Sequence, residues 1–315
     1  MTKFILPALF FFILCAGSCK VKHKQFITTL TVADSVATNG QMDTAGLVLQ
    51  KRLSAEKLDY TAVIANYKTR EIFIQSELLD KDWIRTSLLK RGALVFYECY
   101  SLVELASVLK QADELVAHKI SKPNEAPPVN PLFRVFNPAE PYDIAGRQSF
   151  SPFIGMVLKN DLPVFKRYMD MCKDLLPADV MILMKEQEGM RNKQKFEEVY
   201  FLKDNDSKFF ASDHVSTAKA KDENKHPAVQ MVFDAYGAYM FKRMTTKNVA
   251  KNIAIVIDEN ILSAPNVMSP IEGGNMVISG VFKKEEAQEI ANMLQSGYLS
   301  LDMELKSIRE FKKAE

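Results

Sequence analysis

Residues 229–300, VQMVFDAYGAYMFKRMTTKNVAKNIAIVIDENILSAPNVMSPIEGGNMVISGVFKKEEAQEIANMLQSGYLS, carry the hydrophobic periods of both strands and helices in one short span. Val229 to Phe233 predicts a strand and Ala235 to Met244 a helix, while the apolar run Ile253 to Ile257 predicts a buried strand. Pro265 and Gly273-Gly274 punctuate turns, and Met276 to Ser279 follows as a further strand. From Glu285 to Gln295 the residues Ala287, Ile290, Ala291 and Leu294 share one helical face, stopped by Gly297 at the C-cap position. Leu299 to Leu305 alternates as a last strand.

Upstream the same alternation continues. Phe26 to Val32 reads as a strand and Asp43 to Lys57 as a helix with Ala45, Val48, Leu49 and Leu53 on its apolar face. Tyr60 to Asn66 and Glu71 to Glu77 form a hairpin around Tyr67-Lys68-Thr69-Arg70, Asp80 to Lys90 is a second helix, and Ala93 to Tyr97 a fourth strand. Strand, helix, hairpin, helix, strand is the order of a ferredoxin-like split βαβ unit. A helix from Leu102 to His118 then meets the proline-rich stretch 123–131, which forbids helix and predicts a domain junction. Beyond it lie strands at 153–158, 180–185 and 197–202, a helix at 161–173 and a polar stretch, 203–227, that reads as a surface loop around Lys219 to Lys225. The fold class is therefore α+β.

The chain has 315 residues, 47% hydrophobic and 25% charged, with 41 Lys+Arg against 39 Asp+Glu, which excludes overall disorder and a dedicated nucleic-acid binder. One segment departs from this soluble composition. Phe4 to Ala16 is apolar, follows Lys3 and precedes Gly17, Ser18 and Cys19. As a helix it would rise about 20 Å, short of the roughly 30 Å hydrocarbon core, so it reads as a signal peptide rather than a membrane span. Ala16-Gly17-Ser18-Cys19 resembles a bacterial lipobox, which predicts removal of residues 1–18, acylation of Cys19 (palmitate among its lipids) and a tether over 19–25. A plain signal peptide or short anchor helix is the blander reading. Lys20 after the cysteine is not an acidic retention residue, which points to the outer membrane under one sorting convention but leaves inner versus outer membrane open. Cys99 and Cys172 remain, either as an envelope disulfide or as two separate buried thiols.

The search for chemistry is largely negative. The histidines at 23, 118, 214 and 226 share no metal-ligand spacing, and HExxH, CxxC and GxGxxG are absent from the sequence. Asp204-Asn205-Asp206 opens like a calcium loop, but Phe209 stands at its required glycine and Val215 at its bidentate glutamate. Ser216 to Lys219 and Ser54 to Lys57 both fit S-x-x-K without the companion motifs of penicillin-binding enzymes. Gly273-Gly274 does not lie between a strand and a helix N-terminus, so a turn outweighs a phosphate cradle. No metal, cofactor or catalytic residue is expected.

The quoted stretch resembles the first periplasmic domain of the SecD half of SecDF protein-export membrane proteins. The resemblance rests on Gly237-Ala238, Phe241, Thr245, Asn248, Lys251, Ala254 to Asp258 and Ser263-Ala264-Pro265. It continues through Ile271, Gly273-Gly274, Ile278, Gly280, Phe282, Glu286-Ala287, Leu294 and Ser296-Gly297. It departs from the family at Ala250, Glu259-Asn260, Lys283 and Ser300, positions of loop geometry. The resemblance implies a ferredoxin-like base, 26–122 with 283–310, and an inserted α+β head, 130–282. Family members run on into a membrane bundle whose charged residues couple proton flow to movement. This sequence stops at Glu315, so the expectation is a periplasmic domain without that motor.

The resemblance and the absence of catalytic groups imply a non-enzymatic envelope protein, bound to the membrane by its N-terminal lipid with its body in the periplasm. Its expected partners are exported unfolded polypeptides or Sec-type translocon components, and no nucleic acid. The alternative is a structural or protein-interaction lipoprotein without a role in export. An extended chain would be held at a free sheet edge or apolar groove of the head, for which Phe150, Phe153, Tyr236 and Tyr239 are the candidate contacts.

Overall fold

The computed structural model describes residues 24–140, 151–189, 193–223, 226–279 and 283–311. Strand β1 (Phe26–Val32) leads to helix α1 (Asn39–Ala55), the hairpin β2 (Tyr60–Asn66) and β3 (Glu71–Ser76), and the short helix α2 (Lys81–Trp83), which runs on as a π turn over Ile84–Leu88. Helix α1 starts four residues before the expected Asp43, because the Thr38 hydroxyl accepts from Gln41 N–H while the Gln41 side chain accepts from Thr38 N–H.

The chain then leaves this unit. In order come β4 (Leu94–Cys99), α3 (Leu102–Ile120), β5 (Phe136–Pro138), β6 (Gly155–Leu158), α4 (Leu162–Met171), β7 (Val180–Glu188), β8 (Lys195–Lys203) and β9 (Phe209–Phe210). They are followed by β10 (Val215–Glu223), β11 (His226–Phe233), α5 (Ala235–Lys247), β12 (Ile253–Ile257), β13 (Asn260–Ser263), β14 (Asn275–Ser279), α6 (Lys284–Ser296) and β15 (Met303–Glu310).

The base sheet has the order β15-β1-β3-β2, that of a ferredoxin-like unit. The strand expected to close it, Ala93 to Tyr97, does not. β15 lies beside β1 instead, and β4 joins a second sheet of order β13-β12-β4-β8-β6-β5. The burial patterns explain the exchange. β4 buries Leu94 and Phe96 in one cluster and Val95 and Tyr97 in another, so it needs cover on both faces. β15 keeps Glu304, Lys306 and Arg309 exposed and suits the rim of a sheet with one wet face.

Three further expectations are corrected. The stretch predicted as a loop contains β10, paired with β11 over its whole length; its inward residues Ala218 and Ala220 are too small to signal a strand against the alternating lysines. The proline-rich stretch does not separate units. Leu105, Leu109 and Val116 of α3 share one cluster with Phe136, Val157 and Phe165 beyond it, and the buried Asp113 accepts Leu132 N–H at 2.8 Å. Finally, α6, expected in the base, packs both ways: it lies against α1 of the base, while Ala287, Ile290, Ala291 and Leu294 share a cluster with residues of β10 and β11; the base core resumes at Leu299, Leu301 and Met303.

Cys99 and Cys172 are free thiols in different apolar surroundings. Burial pushes the Cys99 thiol up to about 12, an unreactive state.

Candidate functional site

The three-stranded sheet has the order β10-β11-β14, so among the described strands one edge of β14 is unpaired. Beside that edge lies an open groove of about 700 Å³. Its floor is Phe96 of β4, Ile253 and Ile255 of β12, and Phe241 and Thr245 of α5. The loop 263–271 forms one bank and β14, with Asn275, Met276, Val277 and Ser279, the other.

The bank is held by the corner between α5 and β12. Ile253 N–H donates to Pro265 O at 3.1 Å, Val267 N–H to Lys251 O at 2.8 Å and Ala250 N–H to Val267 O at 2.8 Å. Asn252 Nδ2 donates to Ala264 O at 3.2 Å, and Asn266 Nδ2 to Asn252 Oδ1 at 3.1 Å. Thr245, buried, accepts Ile271 N–H at 3.0 Å while its hydroxyl donates to Phe241 O at 2.9 Å. These contacts leave the loop little freedom to collapse into the groove. Met268, at its crest, is 84% exposed. Gly274 sets the start of β14: its φ is +68°, and a Cβ there would come within 2.7 Å of the Ala238 Cβ.

The chemistry of the lining is narrow. It consists of aliphatic, aromatic, hydroxyl and amide side chains, and none of the lining residues carries a group that titrates near neutral pH. The lining itself supplies no general acid or base for work near neutral pH. It can bury apolar side chains while the β14 edge offers backbone donors and acceptors, the arrangement that takes up an extended peptide as an added strand. Five residues of β14 span about 17 Å.

Charged groups brace the site from behind. Lys185 of β7 donates to Leu262 O at 2.6 Å, pinning β13, and burial pulls its ammonium below the usual lysine range. Glu98 of β4 is buried and pairs with Lys247 of α5 at 2.8 Å. Burial alone would raise the Glu98 carboxyl, but hydrogen bonds and charge from Lys247, with Asn248, carry it below its ordinary 4.5. A depressed carboxylate stabilises the fold above its unfolded pKa and loses that contribution as pH falls through the folded value. Stability measured by urea unfolding should therefore decline below about pH 4.5, and Glu98→Gln should flatten that part of the profile.

Of the aromatic residues singled out in the sequence, Phe153, Tyr236 and Tyr239 do not line the groove. Phe153 packs edge-on against Tyr200, with ring centroids 6.1 Å apart, in the cluster behind β4. Tyr236 and Tyr239 are 56% and 55% exposed on α5, whose Phe241 and Thr245 line the groove. Tyr236 meets the His214 ring at 4.8 Å. Phe150 and Cys19 lie outside the described residues. The groove residues that sequence reasoning missed are Phe96, Ile253, Ile255, Met268 and Val277. Met268, an apolar residue in a turn segment rich in Ser, Asn and Pro, was the available signal.

Residues 186–301, which include α5, β12, β13, β14 and the groove's loop, match the family model of the SecDF P1 head subdomain. Over these residues the chain is similar to a SecD/SecDF periplasmic domain. Protein translocase subunit SecD of Rickettsia bellii is 42% identical over 99 residues, 31% of this chain and 19% of that protein. Protein translocase subunit SecDF of Thermus thermophilus is 39% identical over 88 residues, 28% of this chain and 12% of that protein. The chain thus covers only about a fifth or less of the length of these curated relatives.

Among solved structures, one described as that of "a membrane component SecDF that enhances protein export" matches with a TM-score of 0.51 at 18% identity, over 90% of this chain and all of that one. SecDF in its super-membrane-facing form matches with a TM-score of 0.50, also at 18% identity, over 90% of this chain and 30% of that one. At this identity the likeness is one of fold, and it extends beyond the head subdomain to nearly the whole chain. No helix among the described residues is long and apolar enough to cross a membrane.

Proposed function

We propose that this protein is a non-catalytic, lipid-anchored envelope protein that holds extended segments of exported polypeptides in the groove beside β14. The observation that carries the reading is the pairing of an unpaired strand edge with an apolar floor in the SecD/SecDF-like part of the chain. An emerging polypeptide is unfolded and offers both unpaired backbone groups and apolar side chains, which is what this surface can satisfy. The relatives are named as protein translocase subunits, which favours Sec-type partners. The lipobox-like Ala16 to Cys19 supports an acyl anchor with the body in the periplasm.

A photo-reactive amino acid placed at Met268 or Val277 in living cells should capture a broad set of exported chains, while the same probe at Lys110, exposed on α3, should not. Capture of one discrete envelope protein instead would replace the holding role with a docking role. Cys19→Ala should release the protein from the membrane fraction; unchanged sedimentation would refute the anchor.

A further inference from the structure

β1 and β15 pair with Phe26 opposite Glu310, so the first described strand begins where the last one ends. At this end of the base sheet lies a second hollow, of about 620 Å³, lined by Phe26, Leu78, Leu79, Arg85 and Ile308 among others. Leu78 is 62% exposed. Phe311, whose N–H donates to Gln25 O at 2.7 Å, is 36% exposed at the same end. Several charges around the hollow have partners, with Arg85 facing Asp82 at 3.7 Å, Lys24 facing Glu310 at 3.1 Å and Asp80 accepting Trp83 N–H at 2.7 Å, and Lys81 also lines it.

The position of this apolar end along the chain suggests what covers it. Cys19 stands seven residues before Phe26. Fully extended, that tether reaches about 25 Å at most. An acyl chain on Cys19 therefore holds the Phe26 end of the base within that distance of the bilayer, wherever the rest of the body points.

We infer, on the reading that Cys19 is acylated, that this end of the base rests in the headgroup region of the membrane, with Leu78 and Phe311 inserted at the acyl boundary. The tether supplies the effective concentration that two apolar side chains could not supply by themselves, and a single acyl chain gains from a second contact. Leu78 and Phe311 carry no charge, so the contact they make is apolar in character and does not depend on screening by salt. Docked in this way, the base sets the height and orientation of the rest of the molecule above the bilayer.

The test uses the acylated protein in vesicles of phosphatidylethanolamine and phosphatidylglycerol. Trp83 is the only tryptophan in the sequence, so Leu78→Trp in a Trp83→Phe background gives one reporter. Lipids brominated near the headgroup should quench it roughly twofold, as expected for a side chain at the acyl boundary. The quenching should persist at about 0.5 M salt, where the Debye length is only a few ångströms. A reporter that stays unquenched while the protein floats with the vesicles overturns the inference and leaves the anchor intact. An unmodified Cys19 by mass spectrometry, with no flotation, overturns the anchor and the inference together. If Leu78→Trp fails to fold, the same readout from Phe311→Trp in the Trp83→Phe background decides the matter by the same outcomes.

Discussion

Replacing Arg52 by Met should cost about 3–5 kcal/mol of stability, the range seen when one partner of a buried charged network is removed. Arg52 is 4% exposed on the inner face of α1. One of its Nη atoms donates to Leu88 O at 2.7 Å and also to Lys90 O; the other donates to Arg91 O at 3.2 Å and Gly297 O at 3.3 Å. These carbonyls belong to both places where the chain crosses between base and head, one after the π turn and one after α6. Asp258 grips the first crossing from the head side, accepting Gly92 N–H at 2.9 Å and Ala93 N–H at 2.7 Å. Burial lowers the Arg52 pKa to about 10, with Asp258 opposing that shift, so the guanidinium is still charged at neutral pH. Met fills much of the volume but leaves buried carbonyls without donors. Thermal unfolding should start about 6–20 °C lower for a chain of this size, and Arg52→Lys should recover only part of the loss because one ammonium cannot reach all four acceptors. A loss under about 1 kcal/mol would mean that water replaces the guanidinium at both crossings.

Phe96→Ala should be comparably severe, about 3–5 kcal/mol by the usual cost of emptying a buried aromatic site. Phe96 is fully buried and stands at the centre of an aromatic group: it stacks on Phe209 with centroids 5.9 Å apart, meets Phe233 edge-on at 6.1 Å and lies 5.1 Å from Phe241. It also lies under the groove, so its loss opens the floor as well as the core. Phe96→Leu should cost less, since it keeps part of the volume but none of the ring contacts. Denaturant midpoints of the two variants should fall in that order, and equal midpoints would show that the volume Leu retains contributes nothing once the ring contacts are lost.

The legible part of this fold was local. The face Ala287, Ile290, Ala291 and Leu294 identified α6 because a helix writes its burial into one period. The run Ile253 to Ile257 identified β12 because all five residues are buried. Where pairing was decided by distant partners, the sequence was mute. The segment 93–97 and the segment 299–305 both read as strands, the second observed further on as Met303–Glu310, and only the two-sided burial of the first excludes it from the base. β10 was hidden because alanines opposite β11 leave a polar average dominated by lysines.

The candidate site was harder still. A strand edge is a site only because a neighbour is missing, and Asn275 to Ser279 carries no residue that announces it. The exposed aromatics on α5 attracted attention because side-chain type is visible in a sequence, whereas the groove depends on how β14, the 263–271 loop and the α5–β12 corner are spaced. Those spacings come from hydrogen bonds by Thr245, Asn252 and Asn266, polar residues that read as ordinary loop and helix-end chemistry.

The central claim is that an extended chain adds to β14, and amide hydrogen exchange of the protein with and without a saturating reduced, unfolded polypeptide tests it most directly. Slowed exchange confined to residues 275–279 and the 263–271 bank is expected, as outward-facing β14 amides gain partners. Unchanged exchange in β14, with binding intact and protection appearing elsewhere, would contradict it.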